Sequence, residues 1–208
     1  MTEKELRQAL VEFGRSLFVR GYAAGGAGNI SVRIDEDRIL ATPSGSCLGR
    51  LNEETLSVVD FSGRLLSGAN ASKEVQFHLA LYQGDSSCGS VVHLHSTWTT
   101  LISCRADLDP EQVIRPCTPY FVMKVGKVQV LPYYPPGDIR IAESLAEWAG
   151  QRNAFLLQNH GPVVVGPTLA AAVDLMEEFE ESARLDYLLR GSDVRFLTAE
   201  EISHLEQR

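Results

Sequence analysis

Two histidines separated by one residue, His93 and His95, lie in the apolar stretch VVHLHSTWTT. Side chains two positions apart on a β-strand point to the same face, so the spacing predicts two imidazoles that converge. Two convergent imidazole nitrogens can hold a metal ion such as zinc. The pair alone fits histidines that only form hydrogen bonds equally well, so the assignment depends on further ligands.

Three more residues are candidates to complete such a site. His160 lies in QNHGPVVVG beside Gly161, at the end of an apolar strand, where a histidine also fits an ordinary turn. Glu74 begins a helical segment, where acidic residues also occur because they interact favourably with the helix dipole. His78 lies one helical turn further on and could join the ligands, although a histidine within a packed helix is more often structural.

Glycine-rich turns form a second group of candidates. The segments GGAGNIS, TPSGS and NASK place backbone N–H groups, hydroxyls and amides at turns. Several short donors of this kind suit a phosphate group, and Lys73 adds a cation directly beside Glu74. Each segment alone also fits an ordinary loop.

Periodicity and capping residues predict the elements that position these groups. Helices are predicted to begin at Thr2, Ser72, Ser96, Asp138, Thr168 and Thr198, with capping boxes formed by Thr2 with Glu5 and by Thr198 with Glu201. Strands are predicted at 30–34, 38–41, 90–95, near 127–133, 154–160 and 162–166, the last two joined by a tight Gly161-Pro162 connection. Because strands and helices do not alternate strictly, the order favours a mostly antiparallel sheet covered by helices.

Composition limits the class of protein. A chain of 208 residues fits one domain over 1–208. A net charge of −8 argues against a general binder of nucleic acid or anionic membranes. The charged start MTEKELRQAL is not a secretory signal, and no apolar run reaches the roughly 18 residues of a membrane span. The four cysteines form no C-x-x-C pair and predict reduced thiols in a cytoplasmic protein.

The motifs GNIS, TPSG, SKE, HLH and NHG, in this order and at these separations, resemble the class II aldolase/adducin family over nearly the whole chain. The resemblance implies an α/β fold, a three-layer α/β/α sandwich around a mostly antiparallel sheet. It also implies a homotetramer with active sites between subunits. The longer segments LATPSGSCLG, IRPCTPYFVMKVG and YYPPGD are most similar to the family members that decarboxylate 3-oxo-tetronate 4-phosphate.

The resemblance also implies a role for each site residue. His93, His95 and His160 would bind Zn²⁺, a donor set that also suits Mn²⁺ or Co²⁺. Glu74 would complete the resting coordination, be displaced by substrate, and act as acid and base. Tyr120 corresponds to a tyrosine that reaches the site of a neighbouring subunit in the aldolases, and Tyr120 or a bound water would supply the proton if Glu74 does not. The residues expected around the substrate phosphate are Asn29, Ser44, Gly45, Ser72 and Lys73.

The expected reaction is loss of CO2 from a phosphorylated four-carbon sugar acid through a metal-chelated enediolate, giving dihydroxyacetone phosphate. A sugar-phosphate aldolase or a ribulose-phosphate 4-epimerase would share every metal ligand. Two features favour decarboxylation by resemblance: Lys73, where the aldolases tend to have serine, and the 114–126 segment. A cupin oxygenase would place its glutamate shortly after the H-x-H pair, whereas Glu74 precedes the pair. A non-catalytic adducin-like module would have no need of an open metal site.

Overall fold

The computed structural model describes residues 1–207 and contains an eight-stranded sheet. The strands are β1 (Asn29–Arg33), β2 (Arg38–Ala41), β3 (Ser57–Asp60), β4 (Leu65–Ser67), β5 (Ser90–His93), β6 (Val128–Leu131), β7 (Ala154–Leu157) and β8 (Gly161–Gly166). Their order across the sheet is β4-β3-β2-β1-β5-β8-β7-β6. Every neighbouring pair is antiparallel except β6 and β7, which confirms the predicted mostly antiparallel sheet.

Helices cover both faces of the sheet. They are α1 (Glu3–Val19), α2 (Val75–Gly84), α3 (Thr97–Ser103), α4 (Ile139–Ala146), α5 (Leu169–Leu188) and α6 (Ala199–Glu206). One hydrophobic core contains residues of α1, α3 and α5, and a second core contains residues of α2 and α4. The result is the predicted three-layer α/β/α arrangement. Over residues 1–207, none of the helices combines the length and the apolar character needed to cross a bilayer.

The two cores arise from the alternation of side chains along each strand. Val91 faces the core with α2 and α4, whereas its neighbour Val92 faces the core with α1, α3 and α5. Phe155 and Leu156 divide in the same way on β7. Because both faces are covered, β7 and β8 have no polar side chain at any position, as a doubly buried sheet requires.

Local capping signals explain where most helices begin. The Thr2–Glu5 and Thr198–Glu201 capping boxes are both present, and Asp138 and Thr168 accept a backbone N–H at the start of α4 and α5. The sequence predicts Ser72 as the cap of α2, but the helix begins at Val75 with Glu74 at its N-cap, and Ser72 accepts the N–H of Glu74 at 3.2 Å in the turn before the helix. These contacts involve residues close in sequence, so a pattern of residue types is enough to predict them.

Other elements differ from the expectation. The connection before β8 is a turn in which the His160 N–H donates to the Leu157 carbonyl oxygen, and Gly161 and Pro162 belong to β8 itself. Strand β5 ends at His93, so His95 lies beyond it. The short strands β3 and β4 and a π-helical turn at Phe121–Val125 were not predicted.

A distant carboxylate caps the helix that follows the histidine pair. Ser96 was expected to cap α3, but its side chain makes no capping hydrogen bond. Instead the buried Glu180 of α5 accepts the backbone N–H groups of Trp98 at 2.7 Å and Thr99 at 2.9 Å. It also accepts the Thr99 hydroxyl at 2.7 Å. The carboxylate therefore fixes the start of α3 against α5, close to His95.

We predict that Glu180→Gln lowers the free energy of unfolding by about 2–3 kcal/mol, because an amide turns an N–H group towards donors that need an acceptor. Urea unfolding measures the change. The matched control is Glu181→Gln, because the Glu181 side chain is 48% exposed. The free energy of unfolding of this variant should stay within about 0.5 kcal/mol of that of the parent. Equal free energies of unfolding for the two variants would contradict the assigned role of Glu180.

Candidate metal centre

Three histidines that are far apart in sequence meet at one point. The Nε2 atom of His95 lies 3.1 Å from Nε2 of His93 and 3.1 Å from Nε2 of His160. The three rings are mutually edge-on, with centroids 4.8–5.0 Å apart. This is the three-histidine group that could hold a metal ion among the described residues. The convergence expected from the H-x-H spacing is confirmed and extends to His160.

Strand pairing brings the histidines together. His93 is the last residue of β5 and lies opposite Val163 of β8, while His160 immediately precedes β8. A side chain at Gly161 would place its Cβ 2.5 Å from the Leu94 carbonyl oxygen, so only glycine permits this approach of the two segments. Asn159 takes a positive φ of 53°, a conformation that asparagine tolerates better than most residues, and it turns the chain into His160.

The protonation state of the rings suits metal binding. Burial and the two neighbouring histidines hold the pKa of His93 well below its usual value, and burial also lowers the pKa values of His95 and His160. The rings are therefore neutral at neutral pH. Nδ1–H of His93 donates to the Pro162 carbonyl oxygen at 2.8 Å, which leaves its Nε2 lone pair free. Nδ1 of His160 is buried and has no hydrogen-bond partner among the described residues.

Glu74 lies beside the same point. Its Oε1 is 3.4 Å from Nε2 of His160, and its Oε2 is 3.6 Å from Nε2 of His93. Four ligand atoms at tetrahedral positions around zinc would be about 3.3 Å apart, since zinc–nitrogen bonds are about 2.0–2.1 Å long. The two histidine separations of 3.1 Å, and the distances of 3.4 and 3.6 Å from the two Glu74 oxygens to one histidine each, are close to this spacing, so the donor set fits a divalent metal ion.

The cluster opens into a cavity of about 230 Å³. His95 is exposed, whereas His93 and His160 are buried, so one side of the cluster is accessible to a substrate. The lining residues are Gly26, Ala27, Gly28, Asn29, Pro43, Gly45, Ser72, Glu74, His95, Pro136 and His160. A metal site with one open side is the arrangement used for catalysis rather than for structure.

The structure separates the predicted substrate residues into two groups. Asn29, Gly45 and Ser72 line the cavity, whereas Ser44 and Lys73 do not. Tyr120 also lies outside the cavity lining and is 58% exposed. A larger cavity of about 340 Å³, between the 110–129 segment and α6, contains none of the predicted site residues.

Comparison with known proteins places the chain in a family. A model of the class II aldolase and adducin N-terminal domain matches residues 8–187. This chain belongs to the class II aldolase/adducin family. Members of this family generally depend on a divalent metal ion, in agreement with the three-histidine cluster.

Relatives within the class II aldolase/adducin family differ in their named activity. The 3-oxo-tetronate 4-phosphate decarboxylase of Pectobacterium atrosepticum is 52% identical over 98% of this chain and 94% of its own length. The L-fuculose phosphate aldolase of Methanococcus maripaludis is 34% identical over 87% of this chain and 96% of its own. The crystal structure of YgbL from Klebsiella pneumoniae, whose description leaves its activity open among aldolase, epimerase and decarboxylase, superposes with a TM-score of 0.96 at 52% identity, and the match covers 99% of each chain.

We predict that His93→Ala lowers the affinity for a divalent metal more than about 100-fold, because it removes one of the three imidazole ligands. Elemental analysis of protein purified without chelators measures the bound metal. The control is His204→Ala, a histidine of α6 outside the cluster, which should keep the metal content of the parent. Equal metal content in the two variants would contradict the assignment.

Proposed function

We propose that this chain is a lyase that releases CO2 from 3-oxo-tetronate 4-phosphate and forms dihydroxyacetone phosphate. The observation that carries the proposal is the 52–53% identity, over nearly the full length of both chains, to decarboxylases of this substrate. The cavity beside three histidines and a carboxylate supports it, because the reaction needs stabilisation of negative charge and transfer of one proton.

The substrate determines what the site has to do. Its carboxylate is on C1, its hydroxyl on C2, its ketone on C3 and its phosphate on C4. When the C1–C2 bond breaks, the electron pair moves into C2–C3 and onto the C3 oxygen, giving an enediolate and CO2. One proton then adds to C2. Preorganised charge at the C3 oxygen is the contribution expected to dominate the rate.

We propose Zn²⁺ as the metal, held by His93, His95 and His160, with Mn²⁺ or Co²⁺ also suited to this donor set. The bound metal would supply positive charge that polarises the ketone. Three neutral imidazoles leave that charge undiminished.

Glu74 is the proposed acid and base. In this structure its carboxylate lies within 3.4–3.6 Å of two histidine nitrogens and accepts a hydrogen bond from the Asn29 amide at 2.7 Å. A carboxylate in this position can withdraw when substrate binds and carry a proton to or from C2. Positioned proton transfer of this kind contributes about 10²–10⁴-fold to rate.

The phosphate end of the substrate is proposed to lie against the turns that line the cavity, where Asn29, Gly45 and Ser72 are found, with Ser44 and Lys73 next to them in sequence. Binding the non-reacting end fixes the geometry of the reacting carbons. Lys73 is exposed, and its Cβ lies close to Gly137 of the YYPPGD segment, so this loop and the lysine border the same side of the site.

We further propose a cytoplasmic homotetramer with active sites between subunits. All four cysteines are free thiols, which agrees with a reducing compartment. Met123 on the π-helical turn and Tyr120 immediately before it expose apolar surface, with exposed fractions of 50% and 58% respectively. Because Tyr120 does not line the cavity of its own chain, its proposed catalytic role requires the site of a neighbouring subunit.

The metal-loaded protein is expected to release one CO2 and one dihydroxyacetone phosphate per molecule of 3-oxo-tetronate 4-phosphate, and to form no aldehyde from L-fuculose 1-phosphate. Coupled assays of both products measure the reaction. If L-fuculose 1-phosphate yielded an aldehyde and 3-oxo-tetronate 4-phosphate yielded no CO2, the proposed activity would be that of an aldolase, which would use the same metal ligands.

For Glu74→Gln we expect kcat to fall by about 100-fold or more while most of the metal remains bound, because the amide cannot carry the proton but leaves the three histidines in place. Glu143→Gln, which changes an exposed carboxylate on α4, is the matched control and should leave kcat unchanged. A fully active Glu74→Gln variant would remove Glu74 from the acid and base role.

A further inference from the structure

A continuous chain of hydrogen bonds leads from Glu74 into the protein interior, away from the cavity. The Asn29 Nδ2 atom lies 2.7 Å from Glu74 Oε2, and the Asn29 Oδ1 atom lies 2.6 Å from His78 Nε2. His78 Nδ1 then lies 2.7 Å from the Ser31 hydroxyl, which is 2.9 Å from the Tyr82 hydroxyl. Five side chains from β1, α2 and the segment before α2 are thus connected in one line.

The inner members of this chain are shut off from water. His78 is 2% exposed, Ser31 0% and Tyr82 2%, so each polar atom depends on its neighbour for a hydrogen bond. Burial lowers the pKa of His78 to about 3, which keeps the ring neutral with a single N–H group. Burial also raises the pKa of Tyr82 well above its usual value, so its hydroxyl stays protonated.

Each hydrogen bond in this line has only one possible direction. A carboxylate can only accept, so Asn29 turns its N–H2 group towards Glu74 and its oxygen towards His78. His78 must then carry its proton on Nε2, which leaves Nδ1 as an acceptor for the Ser31 hydroxyl. The proton of Ser31 is used in that bond, so Tyr82 donates to Ser31. Only one orientation of these groups satisfies all four hydrogen bonds. Reversing any one of them would place two donors or two acceptors opposite each other.

We propose that His78 is a positioning residue for Glu74: its Nε2–H fixes the amide orientation of Asn29, and Asn29 in turn holds the Glu74 carboxylate beside the three histidines. Without this donor, the Asn29 amide could rotate and present its oxygen to the carboxylate, which would push Glu74 away from the cluster. Ser31 and Tyr82 serve to keep the proton of His78 on Nε2. The catalytic part of this inference rests on the proposed function of Glu74.

Two substitutions of His78 separate positioning from packing. Glutamine places its amide nitrogen near the position of histidine Nε2, so His78→Gln keeps a donor for Asn29. Asparagine reaches only to the position of Nδ1, so His78→Asn keeps the partner of Ser31 and loses the donor for Asn29. Both variants bury one amide in the same place. If His78 had only a structural role, the two variants would therefore lose similar fractions of kcat.

With 3-oxo-tetronate 4-phosphate as substrate, we expect kcat of His78→Gln to stay within about 5-fold of the parent and kcat of His78→Asn to fall about 10- to 100-fold. KM and bound metal should change less than about 2-fold in both. Equal values of kcat for the two variants would overturn the proposal.

A second pair of variants answers the same question if His78→Asn does not fold. Ser31→Ala removes the hydroxyl that holds His78, and Ser90→Ala removes a hydroxyl that is equally buried on the neighbouring strand and donates to the Ser31 carbonyl oxygen at 2.7 Å. We expect kcat to fall about 3- to 10-fold for Ser31→Ala and less than about 2-fold for Ser90→Ala. An equal effect of the two substitutions would count against the proposal.

One measurement does not depend on the reaction. Nitrogen-15 NMR of the histidine rings in metal-free protein, assigned with His78→Gln, reports which ring nitrogen carries the proton. A proton fixed on Nε2 of His78 supports the chain, and a proton on Nδ1 overturns it. If the parent protein releases no CO2, the proposed function fails, while this spectrum still tests the orientation of His78.

Discussion

The close approach of three neutral imidazole nitrogens is the contact on which the site depends. In the tautomers that can bind a metal, with every ring proton on Nδ1, the Nε2 lone pairs that face each other at 3.1 Å repel, so in that state attraction among the histidines does not hold them together. The backbone holds them there: β5 ends at His93, the turn before β8 places His160, and the Glu180 cap fixes α3 just after His95. A positive ion at the common point would turn this repulsion into attraction, and the stability of the fold and the affinity for a metal are linked for that reason.

The sheet order explains why residues distant in sequence supply this point. Strand β5 lies between β1 and β8, and antiparallel pairing places Asn29 of β1 directly opposite His93. The β1 residues Asn29 and Ser31 both contact His78 of α2, and Asn29 also contacts Glu74 just before that helix. The metal cluster and the hydrogen-bonded chain behind Glu74 therefore share one strand pair. A shift of β1 by one residue against β5 would turn Asn29 and Ser31 to the opposite core and separate both from the site.

Sequence reasoning predicted what depends on near neighbours and missed what depends on distant ones. The capping boxes of α1 and α6 and the convergence of His93 and His95 follow from residues a few positions apart, whereas His160, Glu74 and the three-layer fold were identified largely by resemblance of the joint motifs. Strand β4 has only three residues, two of them leucine and all exposed, so it has neither the length nor the alternation that identifies a half-buried strand in a sequence. Glu180 caps a helix about 80 positions earlier in the chain. His78 has no distinguishing local pattern, because its partners Asn29 and Ser31 lie on another strand, and only the folded arrangement separates it from an ordinary core histidine.

The charge of the cavity lining bears on how such a site can hold its substrate. The described residues that line it include one carboxylate, Glu74, and neither a lysine nor an arginine. A sugar acid phosphate carries negative charge at both ends, so the lining of one chain supplies hydrogen-bond donors but little positive charge. The bound metal can compensate the end that reacts. Positive charge for the other end has to come from outside this lining, either from Lys73 at its border or from a neighbouring subunit.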